Sequence, residues 1–273
     1  MSTQNITPAE HVAQVLASFD ESKDPRLVEV TQAAIRHLHA FAEEVGLTRD
    51  EWMAGIRFLT AVGQRCDDTR QEFILLSDTV GLSMLVEMMA HQAAAGTTEP
   101  TVFGPFHVDG APRRPHGASI VETELGGEPL VMRGTVSSLD GTPLAGAELD
   151  VWQTAPNGLY DVQDGDQRPM NLRGVFTTDS EGRYQFTTVR PVDYTIPDDG
   201  PVGGWLGATG RHPWRPAHVH FVVSAEGYKP VTTHAFDSES NYLDSDAVFG
   251  VRDSLVVDMT GGEAVFDVVL EPV

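Results

Sequence analysis

The chain has 273 residues, 41% of them hydrophobic, enough for one large domain or two modest ones with a real core. Its 40 acidic against 18 basic residues give a formal charge of −22; a surface that negative repels phosphate backbones and anionic lipid, so neither nucleic acid nor a membrane surface is an expected partner. A single cysteine, Cys66, excludes an intrachain disulfide, the polar opening MSTQNITPAE lacks the apolar core of a secretory signal, and no apolar run approaches the ~18 residues of a spanning helix, which together predict a cytoplasmic enzyme or binding protein.

Residues 1–100 carry helical periodicity. Thr7-Pro8-Ala9-Glu10 and Thr48-Arg49-Asp50-Glu51 fit capping boxes, and Asp24-Pro25 offers an N-cap followed by proline at the first helical position. Apolar residues follow at three-to-four spacing, as in Val12, Val15 and Leu16, or Trp52, Ile56, Leu59 and Val62. A further helix is predicted from Arg70 to about Ala95, broken near Gly81. The apolar faces of these helices are too large to leave exposed.

After the loop PTVFGPFHVDGAPRRPHG the period changes to two. VMRGTVSS, AELDVWQT, GVFTT, GRYQFTTV, AHVHFVVS, KPVTTHAF, SLVVDMT and AVFDVVL carry the β-branched and aromatic residues that strands prefer, with turn signals such as Asp140-Gly141 and Glu181-Gly182 between them. The expected fold is mainly β with an α-helical N-terminal region: helices over 1–100 and an antiparallel β-sandwich over 101–273. The Gly-rich stretch DDGPVGGWLGATG lacks a P-loop lysine and is predicted to be a mobile loop.

Two H-x-H pairs stand out among ten histidines. His37-Leu38-His39 lies in a helical stretch, where ~100° per residue turns its side chains roughly 200° apart, so they cannot share one ion. His218-Val219-His220 lies in a β-type run, where alternate residues face the same side roughly 7 Å apart and two imidazoles can reach one metal. Tyr160 in PNGLYDV and Tyr194 in RPVDYTIPD each sit beside an aspartate at the end of a β-type run, where a loop can aim a side chain into a cleft. Each alone reads as a packing residue, but a phenolate is a hard anionic ligand that suits trivalent iron better than zinc or copper.

The order N-G-L-Y, then D-Y-T-I-P, then R-P-A-H-V-H, behind a helical region and an F-G-P-F loop, resembles the intradiol ring-cleaving dioxygenases, nearest the catechol and hydroxyquinol 1,2-dioxygenase branch. The resemblance runs from about Pro25 to Val273. It implies one Fe(III) per subunit held by Tyr160, Tyr194, His218 and His220, with Tyr194 also a base for the diol and Arg215 stabilising negative charge on the substrate. It further implies a ring pocket lined by Leu75, Asp78, Val102, Phe103, Gly104, Pro105, Phe106, Ile196, Pro197, His234 and Val248. Histidine at 234, where catechol-cleaving relatives carry glutamine, together with Asp78, points to hydroxyquinol as substrate, O2 as co-substrate and 3-hydroxy-cis,cis-muconate, the enol of maleylacetate, as product; a catechol or chlorocatechol 1,2-dioxygenase is the alternative. The helical region is implied to be a homodimerisation segment enclosing phospholipid. A cupin-like Fe(II) enzyme would place a glutamate nearer the H-x-H than Glu226, and a non-catalytic transthyretin-like binding module would leave the four matched ligand positions without a role.

Overall fold

The computed structural model describes residues 6–19, 22–67, 70–90 and 94–273. The chain separates into two compact units, dividing between Thr60 and Ala61. In the first, helix α1 (Pro8–Ala17) starts on the capping box of Thr7 and Glu10, and α2 (Pro25–Glu44) starts on Asp24, whose carboxylate accepts the amides of Arg26 and Leu27 at 3.0 and 3.1 Å. Helix α3 (Arg49–Gln64) begins with the reciprocal bonds of Thr48 and Glu51. No residue of α1 or α2 is buried, and Leu27, Leu38, Phe41 and Trp52 are each at least half exposed.

The second unit begins with the last turn of α3 and continues with two short helices, α4 (Glu72–Thr79) and α5 (Leu82–Ala90), bent 78° at Gly81, whose φ of +76° only glycine adopts without strain. The expected break near Gly81 is thus present; residues 91–93 of the predicted 70–95 segment lie outside the described residues. Among the described residues no single helix is long and apolar enough to cross a membrane, although the bent α4–α5 pair matches one in combined length and composition.

Two sheets follow. One contains β1 (Pro129–Ser138) flanked by β4 (Arg183–Val189) on one side and by β10 (Glu263–Val265) and β11 (Val268–Leu270) on the other. The second has the order β3 (Arg173–Thr177), β2 (Glu148–Trp152), β7 (His218–Ser224), β8 (Val231–Asp237), β9 (Val256–Val257). A continuous apolar core unites their inner faces, with Met132, Phe186 and Val268 from one and Leu149, Val151, Phe176, Val219 and Phe221 from the other.

The sheets are mixed, not antiparallel as expected. β10 and β11 both run parallel to β1, and β9 runs parallel to β8. The run AVFDVVL forms two short strands interrupted at Phe266 and Asp267, where Asp267 turns its carboxylate onto the Thr135 amide at 2.8 Å. Gly134 lies opposite, and a Cβ there would collide with the Phe266 carbonyl. The Gly-rich stretch is corrected too: it contains helix α6 (Pro201–Ala208), with proline at its first position and Val202 and Leu206 buried four residues apart. Glu72 caps it, accepting the Val202 amide at 3.1 Å. A third, two-stranded ribbon, unforeseen in the sequence, pairs β5 (Tyr194–Thr195) with β6 (Trp214–Arg215) and sets Tyr194 directly against Arg215.

Candidate metal centre

Strand β7 has two buried faces. Val219, Phe221 and Val223 point into the core, so the alternation puts His218 and His220 on the outer face of the same sheet. Register extends that face: Trp152 of β2 and His234 of β8 lie on either side of His220, and Phe236 lies beside His218. Trp152 stacks on the His220 ring at 4.5 Å and 11°.

Loops bring in the tyrosines. Tyr160 precedes a single 3-10 turn at Asp161–Gln163; Asp161 accepts from Arg173 Nε at 2.8 Å and from the Met170 amide at 2.7 Å, and Arg173 lies over the Tyr160 ring. Asp193, just before Tyr194, accepts the Ala217 amide at 3.0 Å and the Ser240 hydroxyl at 2.5 Å. The aspartate beside each tyrosine therefore anchors the loop that aims it.

Four donor atoms converge. Tyr160 Oη is 3.1 Å from Tyr194 Oη and 2.8 Å from His220 Nε2, which is 3.1 Å from His218 Nε2. Arg215 Nη1 closes the arc, 3.4 Å from Tyr194 Oη and 3.2 Å from His218 Nε2. All five residues are at most 5% exposed. Burial, then the Arg215 charge, depresses the His218 pKa well below the usual histidine range; burial, then the neighbouring histidines, does the same to His220. Burial and the adjacent Tyr194 push the Tyr160 hydroxyl well above the usual phenol range. For Arg215, burial works against the charged form, but Asp246 and Tyr194 outweigh it and raise the pKa.

The donor set fits a metal ion. The Pro216 carbonyl, 2.7 Å from His218 Nδ1, can only accept, so the proton sits on Nδ1 and Nε2 offers a lone pair. That lone pair faces His220 Nε2, while His220 Nδ1 is buried without a hydrogen-bond partner. Donors on adjacent positions of an ion bonded at roughly 2 Å lie roughly 3 Å apart, matching these separations. His218, His220 and His234 also form a three-histidine cluster, with nitrogens within 4.8 Å of one another. The His234 ring, however, stacks on His218 at 4.5 Å and 21°, and lone pairs lying in two stacked ring planes do not meet at one ion. A contact to the Val102 backbone bears on His234, yet its ring nitrogens make no hydrogen bond of normal geometry.

Residues 102–272 match the family model "Dioxygenase", and residues 24–98 match "Catechol dioxygenase N terminus". The chain belongs to the intradiol dioxygenase family. It is 51% identical to a 6-chlorohydroxyquinol 1,2-dioxygenase of Cupriavidus pinatubonensis, over 98% of this chain and 97% of that protein. The solved structure of a hydroxyquinol 1,2-dioxygenase from Pseudomonas putida DLL-E4 superposes with a TM-score of 0.91 at 46% identity, covering 97% of this chain and 99% of that one. For a catechol 1,2-dioxygenase of Acinetobacter radioresistens the TM-score is 0.87 at 29% identity, covering 98% of this chain and 94% of that one. Intradiol dioxygenases use non-haem iron, act on aromatic substrates and consume O2.

The remaining expected residues of this intradiol dioxygenase gather unevenly. A Cβ on Gly104 would lie 3.4 Å from the His220 ring, and Phe106 stacks on Tyr160 at 4.7 Å. Val102, Ile196 and Val248 are buried, and Pro105 and Pro197 half-buried. Leu75 is buried on α4 one turn before Asp78, whose carboxyl is lifted to about 6, chiefly by burial, with the Ser83 hydroxyl and Arg215 working against the rise. Phe103 is drawn away: its ring packs against His107 and the edge of Trp152 and is 42% exposed. Sequence reasoning missed Trp152, Arg173, Asp161, Asp193 and Asp246. For the two aspartates beside the tyrosines the signal was their shared place in the two motifs; for Asp246 and Arg173 there was none, because their partners lie 31 and 12 residues away.

Proposed function

We propose that this chain cleaves hydroxyquinol with O2 to 3-hydroxy-cis,cis-muconate in the catabolism of aromatic compounds, on one Fe(III) per subunit held by Tyr160, Tyr194, His218 and His220. The observation that carries the reading is the chain of four buried donors, Tyr194, Tyr160, His220 and His218, each 2.8 to 3.1 Å from the next. Bound there, a trivalent iron would act as the Lewis acid that binds the diolate and draws electron density from the ring, opening it to O2.

The protein's own part is proton handling, charge and exclusion of water. Tyr194 Oη, within reach of Arg215 Nη1, takes a proton from the vicinal diol as base. Arg215 stays charged throughout and meets the negative charge that builds on the substrate oxygen as the ring loses aromaticity. Its placement in β6, paired with Tyr194 in β5, lets base and cation act on the same diol. Phe106, Val102, Ile196 and Val248 wall the ring. Asp78, ionised above about pH 6, accepts a hydrogen bond from the third hydroxyl, which catechol lacks. The similarity to hydroxyquinol-named relatives at 46–51% identity supports the same substrate.

The test is the visible absorption of the purified protein before and after anaerobic addition of hydroxyquinol, followed by steady-state comparison with catechol and 4-chlorocatechol. A charge-transfer colour that shifts with the diol is expected, as is the highest kcat/KM on hydroxyquinol. A colourless iron protein would overturn the tyrosine assignment; faster turnover of either catechol would overturn the substrate. The helical region 1–100 is the proposed homodimer segment, with phospholipid as its guest; the exposed apolar residues of α2 and α3 support this. Sedimentation as a 29.6 kDa monomer at micromolar concentration would refute it.

A further inference from the structure

Arg215 does not reach the centre unaided. Asp246 grips it from behind in a two-point pair, Nε to Oδ1 at 3.0 Å and Nη2 to Oδ2 at 3.2 Å, leaving Nη1 as the edge that faces Tyr194 Oη and His218 Nε2. Both partners are at most 5% exposed. The segment around Asp246 is built to hold that carboxylate still. Oδ1 accepts the Val248 amide at 3.3 Å and Oδ2 the Gly250 amide at 2.9 Å, while the Asp246 carbonyl accepts the Phe249 amide at 3.1 Å. The Ala247 amide reaches back to the Trp214 carbonyl at 3.1 Å, tying the turn to the strand that carries Arg215. Phe249 sits at φ +60°, a conformation that costs a β-carbon residue energy and persists only where its surroundings impose it. Gly250 admits the pair: a Cβ there would lie 3.1 Å from both Arg215 Nη2 and Asp246 Oδ2.

We propose that Asp246 is the positioning residue of the arginine, fixing the guanidinium plane so that its charge meets the substrate through Nη1 alone. The proposal rests on the reading of Arg215 as the group that stabilises charge on the substrate. A guanidinium released from this clamp would still be buried and cationic, but free to turn toward the tyrosine oxygens, and the charge would no longer be preorganised where the transition state needs it.

The experiment is a double-mutant cycle on the iron-loaded protein: wild type, Asp246→Asn, Arg215→Gln and the double variant. It reads kcat and KM for hydroxyquinol, the absorption shift on anaerobic addition of the diol, and thermal unfolding. Asp246→Asn is expected to lower kcat roughly 10- to 100-fold with KM within about 3-fold, and Arg215→Gln to lower kcat at least about 100-fold. The double variant should be within about 2-fold of Arg215→Gln, because a residue acting through Arg215 has nothing left to act on. The diol-induced absorption shift of Asp246→Asn should depart from wild type in the same direction as that of Arg215→Gln. A double variant slowed by the product of the two single effects, or Asp246→Asn with wild-type kcat, overturns the proposal. Full activity of Arg215→Gln would instead sink the reading of the arginine itself. Should Asp246→Asn fail to fold, Asp246→Glu keeps the charge and moves only its position; a kcat unchanged from wild type would then overturn the proposal, and a 10-fold or greater loss at unchanged melting temperature would support it.

Discussion

At its N-terminal end β7 is buried on both faces, and the two could hardly differ more in what covers them. On the inner face Val219, Phe221 and Val223 are inaccessible members of one apolar core, in which Phe221 meets the rings of Tyr184, Phe186 and Phe266. On the outer face His218 and His220 are 2% exposed and held neutral by burial, their Nε2 atoms face one another at 3.1 Å, and the His220 Nδ1 is left without a partner. One seven-residue strand thus divides its labour by residue parity. The inner face contributes stability, whereas the outer face gathers buried nitrogens that an ion could use.

That contrast predicts a clean separation of phenotypes. The largest effect is expected where a loop covers the outer face: Tyr160→Phe, which removes the oxygen 2.8 Å from His220 Nε2 and almost no volume, should lower turnover by more than about 1,000-fold while the metal-free melting temperature moves by no more than about 2 °C. Iron content and visible absorption of the variant check it; a coloured, active Tyr160→Phe would break the comparison. Next comes the inner face. Phe221→Ala should cost about 3–5 kcal/mol of unfolding free energy, measured by denaturant titration, with the protein that remains folded still binding iron. Equal loss of iron and stability in both variants would show that the faces are not separable.

The division was legible in the sequence only where one residue's neighbours are local. H-x-H in a β-type run is enough to place His218 and His220 on one face, and capping boxes at Thr7 and Thr48 mark real helix starts. The kink at Gly81 was readable for the same reason. Parallel placement of β10 and β11 beside β1 was not, because it depends on pairing with a strand about 130 residues earlier, which no local pattern announces. α6 was hidden by its glycines, whose weak helix propensity is overridden by burial of Val202 and Leu206 and by a cap from Glu72, 130 residues away. The same holds for the site: the four donor residues and the aspartates beside the two tyrosines sit in local motifs, whereas Asp246, which holds Arg215 from 31 residues away, is visible only after folding.

The smallest expected effect sharpens the comparison at the edge of the site. Asp78 has a carboxyl lifted from 3.8 to about 6, chiefly by burial, with Arg215 favouring its charge and Asp246 opposing it. Between those values the folded chain binds the proton that the unfolded chain has lost, so this group's contribution to stability falls as pH rises from about 4 to 6 and stays low above it. Asp78→Asn should therefore leave stability unchanged near pH 4 and raise it at pH 7.5, by up to about 3 kcal/mol. The buried histidines act in the opposite sense, because they resist protonation when folded and lose stability below about pH 6.5. Comparing variant with wild type at each pH cancels their part. If the same variant also loses kcat/KM for hydroxyquinol while keeping that for catechol, the carboxylate is held at a cost in stability for the sake of the third hydroxyl. A variant whose stability difference stays flat across the range would show instead that the Asp78 carboxyl is not lifted by its burial in the fold.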